Sequence, residues 1–191
     1  MLRMTSGYSE FCPIAKASEI FAMRWTPLIL RELMCDAHTF NDIHRGVPLI
    51  SRALLAERLR QLDEHGIIEK KSRLVGSGCE YRLTPAGYAF HDALRALAQR
   101  GLLYGRDRLS TEDLNPGLLM WRIRRRADTK ALPKNRVVVR FEFSGVPPSR
   151  TRLRTMWLIL ERPGADVCLR DPGFPVDLTV HGDIAVLIAI Y

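Results

Sequence analysis

Apolar residues recur with a helical period through the first half of the chain and in short alternating runs through the second. Between Pro48 and Gly66, Leu55, Leu59 and Leu62 fall at i, i+4 and i+7, which puts them on one face of a helix. Ser51 is placed to cap that helix, and Gly66 to end it. Upstream, Cys12-Pro13 opens a helix whose stripe is Ile14, Ala17, Ile20 and Phe21. Thr26 as cap and Pro27 as first helical residue begin a second helix, apolar on nearly all sides through Leu28-Ile29-Leu30 and Leu33-Met34 and therefore expected at the centre of the core. Trp25 reads as a core anchor. Thr39-Phe40-Asn41-Asp42 starts a short helix that runs to Arg45 and is ended by Gly46-Val47-Pro48. Helix, glycine-containing turn, helix is the helix-turn-helix pattern.

Ile67–Val75 and Cys79–Leu83 read as paired strands with Gly76-Ser77-Gly78 at the tip. Thr84-Pro85 then starts a long helix from Ala86 to Tyr104, with Phe90, Leu94, Leu97 and Leu102 or Leu103 on its apolar side. So long an apolar side has little in one subunit to cover it, and the same helix of a second subunit is the natural cover. Beyond Arg108 the pattern changes. Residues 109–117 are polar, with Pro116-Gly117, and read as a linker. Leu118–Arg126 predicts a short helix with a basic end, and Val139–Phe143 alternates as a half-buried strand. Leu153–Leu160, Asp166–Arg170 and Asp177–His181 continue the β pattern, and Gly182-Asp183 caps a helix beginning at Ile184. The expected fold class is α+β: a mainly helical N-terminal domain with a β-hairpin wing over 1–108, then a small antiparallel α+β domain over 118–191. The apolar run to Tyr191 has no helix stop, so this second domain is expected to be incomplete at its end.

Hydrophobic residues make up 47% of the 191, enough for a packed core, so wholesale disorder is excluded. The formal charge is +8, but it does not locate a partner, because residues 1–110 carry 16 basic and 12 acidic side chains and residues 111–191 carry 13 and 9. Cys12, Cys35, Cys79 and Cys168 form no CxxC pair and no zinc-type cluster. The N-terminus has Arg3 and no apolar stretch of signal-peptide length, and the longest apolar run, Ile184–Tyr191, is too short to span a membrane, which predicts a cytoplasmic chain with reduced thiols and no membrane partner. The five histidines are scattered without HExxH, and neither a GxSxG elbow nor a phosphate loop occurs. No catalysis, metal or cofactor is therefore expected.

The helix over 51–64 has a short-chained outer face made of Arg52, Ala53, Ala56 and Arg60. Such a face fits the major groove of DNA, where Arg is the commonest reader of guanine edges. The alternative is an amphipathic surface helix with solvated arginines. The basic hairpin that follows, with Lys70, Lys71, Arg73 and Arg82, has the form of a wing that grips phosphates.

The succession CPIAKASEIF, RWTPLILREL, TFNDIHRGVP, ISRALLAERLRQLDEHGIIEKK and EYRLTPAG over residues 11–105 resembles the HxlR-type winged helix-turn-helix family of bacterial transcriptional regulators, in the MarR-like superfamily. Family members often have Gly-Lys-Trp where this chain has Met23-Arg24-Trp25, a departure that keeps the charge and the aromatic ring. The resemblance implies a homodimer on a pseudo-palindromic double-stranded DNA operator, with Ser51–Leu62 as recognition helix and 67–83 as wing. Its DNA-contacting set here is Asn41, His44, Ser51, Arg52, Ala53, Ala56, Arg60, Lys70, Lys71, Arg73 and Ser77. Some family members sense thiol oxidation through a cysteine at the place of Cys12, beside which Glu10 disfavours a thiolate. A small buried structural cysteine is the other reading of Cys12.

The second segment is similar, in strand order and in the closing His-Gly-Asp-Ile-Ala, to the sterol-carrier-protein-like domain that some such regulators carry. That likeness implies an apolar small-molecule effector lined by Trp121, Phe141, Phe143, Met156 and Trp157, unless these residues simply fill a small core. The competing function is a lipid- or sterol-carrier-like protein in which the helix-turn-helix serves mainly dimerisation.

Overall fold

The computed structural model describes residues 7–73, 78–104, 110–128, 130–132, 134–162 and 164–190. The chain divides into two compact units, Met1–Gln99 and Arg100–Tyr191.

The first unit begins with α1 (Pro13–Phe21), α2 (Thr26–Met34), α3 (Phe40–Gly46) and α4 (Arg52–Glu64). Half of the stripe expected on α1 meets the core: Ile20 and Phe21 are half-buried and pack against it, while Ile14 is 77% exposed and Ala17 is exposed. α2 begins one residue earlier than its Thr-Pro pair suggests. Trp25 is its N-cap, at φ 80, and Thr26 is fully buried inside the first turn. A positive φ is costly for a bulky residue. Here the Trp25 ring packs against the core and lies 4.9 Å beneath the Arg24 guanidinium, contacts that offset the strain. Ile29, Leu30 and Leu33 of α2 meet Ile43 of α3, Ile50 of the turn, and Leu55, Leu59 and Leu62 of α4. Fully burying a side chain of this kind contributes roughly 1.5–3 kcal/mol.

Within this apolar layer lies one buried carboxylate, Glu32. Arg31 donates to its Oε1 at 2.6 and 2.9 Å, and the same guanidinium donates to the Gly46 carbonyl at 3.2 Å. A cation at the C-terminus of α3 also suits the helix dipole. A Cβ at Gly46 would collide with the Glu32 carboxyl group, so α3 closes against α2 only with glycine there.

β1 (Ile68–Ser72) and β2 (Cys79–Leu83) pair antiparallel, with Lys70 opposite Tyr81 and Lys71 opposite Glu80. The first strand is shorter than expected; residues 74–77, which include Gly76 and Ser77 of the expected tip, lie outside the described residues. Tyr81 N–H donates to the His38 carbonyl at 2.8 Å, which ties the hairpin to the segment before α3. The long helix expected after Thr84 is two, α5 (Pro85–Tyr88) and α6 (His91–Tyr104). The break lets Phe90 stack on Phe21 with ring centroids 5.0 Å apart. Leu97, Leu102 and Leu103 are more than half exposed along α6.

In the second unit, most of the expected linker is structured. Thr111–Asp113 is a 3-10 turn in which Asp113 accepts from the Ser110 amide and hydroxyl, bonds that hold its carboxyl below the usual carboxylate range. α7 (Pro116–Arg126) follows, capped by Asn115. β3 (Val137–Ser144), β4 (Thr155–Glu161), β5 (Gly164–Cys168) and β6 (Leu178–Asp183) form one sheet in the order β5-β4-β3-β6, and α8 (Ile184–Ile190) closes the unit. The antiparallel expectation holds for β3, β4 and β5, while β6 runs parallel to β3. Leu153 belongs to a second 3-10 turn, Pro148–Leu153, not to β4. The Asp183 carboxylate accepts from Ala185 and Val186 N–H at 2.9 and 3.3 Å, the expected cap of α8.

The Gly46 contact sets an order of stabilities. Gly46→Ala forces a methyl into a buried carboxylate and is expected to cost about 3 kcal/mol. Gly66→Ala meets no atom within 4 Å and is burdened only by its φ of +65, at about 1 kcal/mol. Urea unfolding of the two variants checks this; a Gly46→Ala no worse than Gly66→Ala contradicts the account of the α2–α3 contact.

Candidate nucleic-acid interface

Ser51 is the N-cap of α4, and its hydroxyl accepts from Leu54 N–H at 3.2 Å. One of its lone pairs is thus committed to the helix, while its proton remains able to reach a phosphate oxygen. With Leu55, Leu59 and Leu62 turned into the core, Arg52, Ala53, Ala56 and Arg60 lie exposed on the outer face. The two alanines leave that face low enough for a groove floor to approach.

The two arginines are not equivalent. Arg60 donates to Glu57 at 2.7 and 2.9 Å and pairs with Glu64 one turn on. These hydrogen bonds push the Arg60 guanidinium further toward its charged form, and the Arg60 bond lowers Glu57 below the usual carboxylate range. Each pair is exposed and weak. Together they place two carboxylates around the cation. The spacings Glu57–Arg60 and Arg60–Glu64, three and four residues, are the helical neighbours that make such pairs, and they were legible in the sequence.

Arg52 makes no ion pair among the described residues. Its guanidinium lies 4.7 Å from the centroid of the Phe40 ring, and its Nη2 donates to Asn41 Oδ1 at 3.1 Å. Asn41, one of the expected set, lies on α3, exposed beside Arg52. Phe40 was absent from that set, and nothing in its apolar character marks it out. His44 is committed to the turn: its Nε2–H donates to the Ile50 carbonyl at 3.1 Å, and its ring stacks with Phe40 at 6.3 Å. Arg58, a third arginine of α4, is half-buried and bonded to Gln61 and the Arg24 carbonyl.

On the wing, Lys71 pairs with Glu69 at 2.6 Å, and Glu80 takes both Arg82 at 3.1 Å and Arg73 at 3.8 Å. Among the described residues Lys70 has no ion-pair partner. Its charge opposes the effect of burial, the larger cause, which raises the Tyr81 phenol.

The residues expected to line an apolar cavity do not come together on one side. Phe141 pairs with Met156 in register, and both pack with Phe143 on the sheet face that meets Leu119 and Met120 of α7 and Ile184 of α8. Trp157 pairs with Arg140 and so points to the opposite face. Trp121 is buried, with the Arg124 guanidinium 4.7 Å from its ring. Among the described residues no group of histidine, cysteine and carboxylate side chains could hold a metal ion, and no helix is long and apolar enough to cross a membrane. Cys12 is the half-buried N-cap of α1.

A family model described as HxlR-like helix-turn-helix matches residues 20–108. The chain is 32% identical over 92 residues to the uncharacterized HTH-type transcriptional regulator YtfH of Escherichia coli K12, covering 48% of this chain and 73% of that protein. It is 35% identical over 93 residues to the uncharacterized HTH-type transcriptional regulator YvaP of Bacillus subtilis 168, covering 48% of this chain and 86% of that one. The crystal structure of PA1607, a candidate transcription factor, matches with a TM-score of 0.50 at 33% identity, over 52% of this chain and 70% of that chain.

The cap and the contact surface are separable at Ser51. Ser51→Ala is expected to cost about 1 kcal/mol of stability, whereas Ser51→Asp keeps an acceptor for Leu54 N–H and stays within a few tenths of the wild type. Thermal unfolding decides this, and equal losses in both variants contradict the assigned cap.

Proposed function

Because the chain belongs to the HxlR-like helix-turn-helix family, whose members are transcriptional regulators and not enzymes, we propose that it acts as a cytoplasmic homodimer that binds a pseudo-palindromic site in double-stranded DNA through α4 and the β1–β2 wing. The observation behind this reading is the exposed, unneutralised Arg52 at the start of α4, next to the small Ala53 and Ala56. Arg52 is assigned to base edges. Lys70, Lys71 and Arg73 are assigned to phosphates, with Lys70 first because among the described residues no carboxylate pairs with its ammonium group. The wing tip, including Ser77, belongs to the same assignment by sequence. Exposed Phe11 just before α1, Ile14 in its first turn and Leu97 of α6 favour a second copy as the cover for these helices. A dimer of this kind sets its recognition helices about 34 Å apart, one turn of duplex.

Two modes of regulation are proposed with it. The second unit is assigned to an apolar effector such as a fatty acid or sterol, in keeping with the exposed Leu169, Leu178, Val186 and Ile190 on its surface. A ligand of this kind regulates only if the DNA-competent and incompetent dimers bind it differently. Quenching of Trp121 and Trp157 fluorescence by added lipid is the expected result; an unchanged spectrum with every lipid leaves the second unit a structural role. Cys12 stands between exposed Phe11 and Ile14, on the face assigned to dimer contact. Diamide would take two electrons and two protons from the Cys12 thiols of two subunits, leaving an intersubunit disulfide. Loss of DNA binding on diamide treatment in the wild type but not in Cys12→Ser is the expected result, and an identical response in both contradicts it.

The DNA assignments differ in their salt signatures. Lys70→Ala should weaken binding to all duplexes alike and reduce the slope of log K against log salt by about 1. Arg52→Ala should lose roughly 1–3 kcal/mol of base discrimination with little selectivity left at one position per half-site. Fluorescence-anisotropy titrations across a salt series test this, and indistinguishable effects of the two variants overturn the division between base and phosphate contacts.

A further inference from the structure

We propose that Phe40 is a positioning residue for base recognition: its ring, together with Asn41, holds the Arg52 guanidinium in a reading position before DNA arrives. This rests on the assignment of Arg52 to a base edge. Arginine carries a large rotamer entropy, and an exposed one normally surrenders it only on binding. In the free protein Arg52 is already held from two directions, with the aromatic face 4.7 Å from its central carbon and the Asn41 carbonyl oxygen accepting from Nη2 at 3.1 Å. A guanidinium has five N–H donors in a fixed planar fork. Asn41 engages one nitrogen, and donors on the other nitrogens remain for the O6 and N7 acceptors of guanine.

The support behind the ring is itself fixed. Phe40 stacks nearly parallel on His44, interplanar angle 7°, and His44 is bonded to the Ile50 carbonyl in the turn. Thr39 caps α3 in front of Phe40, accepting from Asp42 N–H at 3.1 Å. The ring is thus anchored by the same turn that sets α4, so the orientation of Arg52 follows the helix-turn-helix geometry and does not depend on the duplex. An aromatic ring attracts the cation without neutralising it. Arg60 is paired with two carboxylates instead, exposed pairs that offset part of its charge. One helix therefore carries one guanidinium set on an aromatic ring and another paired with carboxylates.

The test uses the full chain and a duplex selected from a random-sequence double-stranded DNA library on the wild-type protein. Affinities are measured for the selected duplex and for duplexes with each guanine exchanged for adenine, using wild type, Phe40→Leu, Phe40→Tyr, Asn41→Ala and Arg52→Ala. The wild type should lose about tenfold or more for one guanine per half-site. Phe40→Leu should lose most of that discrimination, approaching Arg52→Ala, while the salt slope stays unchanged; Phe40→Tyr, which keeps the ring, should restore it. Asn41→Ala, at an exposed position where folding is not at stake, should lose a part of it. Melting curves identify any variant whose fold has changed. A folded Phe40→Leu with wild-type discrimination, or a Phe40→Tyr no better than Phe40→Leu, overturns the positioning role alone. A wild type that binds every duplex equally overturns the base-reading assignment, and the positioning role with it.

Discussion

A carboxylate buried without loss of its partners fixes the geometry on which the first unit depends. Glu32 sits in an apolar layer with its charge met by Arg31, and Arg31 reaches past it to the last carbonyl of α3. Removing one partner of such a pair costs about 3–5 kcal/mol, because it strands a charge in a medium that cannot solvate it. The pair therefore holds only one approach of α3 to α2, and Gly46 is the residue that leaves room for it. α3 so placed carries Phe40, Asn41 and His44 to the turn, and the turn delivers Ser51 to the start of α4.

From that start the chemistry of α4 divides along its length. Its first two turns are cationic and low on the outer face, with Arg52, Ala53 and Ala56. Its last turns are neutralised by Glu57, Asp63 and Glu64, the last of these paired with Arg60 and Asp63 accepting the Lys70 amide at 3.1 Å. A helix uniformly cationic along its outer face would bind any polyanion along its whole length. Among the described residues the unpaired cation of the outer face, Arg52, is at one end of α4, and the carboxylates around Arg60 lie toward the other. The outer face of the helix, read in the sequence as two like arginines, is in this sense polar end to end.

Features decided by local chemistry were legible in the sequence. Ser51, Thr39 and Asp183 cap the helices they precede, Gly66 ends α4, and the leucine stripe of α4 is buried in full. What escaped is decided by distant partners. The break between α5 and α6 serves a ring stack between residues 69 positions apart, Phe21 and Phe90. Ile14 reads as core by periodicity and is exposed, since a stripe states that a face is apolar and not what covers it. Alternation identified β6 as a strand but carries no information on direction. Its parallel pairing is fixed by Asp177, whose carboxylate accepts from Val138 N–H at 2.7 Å and whose own N–H donates to the Val138 carbonyl. The alternation also separates Trp157 from Met156, which a list of apolar residues does not. The pairing of Arg52 with Phe40 lies across a turn, beyond any helical spacing rule.

The central claim is that the N-terminal end of α4 enters the major groove of a duplex. Methylation interference tests it directly, since dimethyl sulfate marks guanine N7 in the major groove and adenine N3 in the minor groove. The account predicts that methylated N7 of guanines in two half-sites one helical turn apart is excluded from the bound fraction of wild-type protein, and that one guanine per half-site becomes tolerated in Arg52→Ala. Interference confined to adenine N3, or a bound fraction indifferent to N7 methylation, would contradict it.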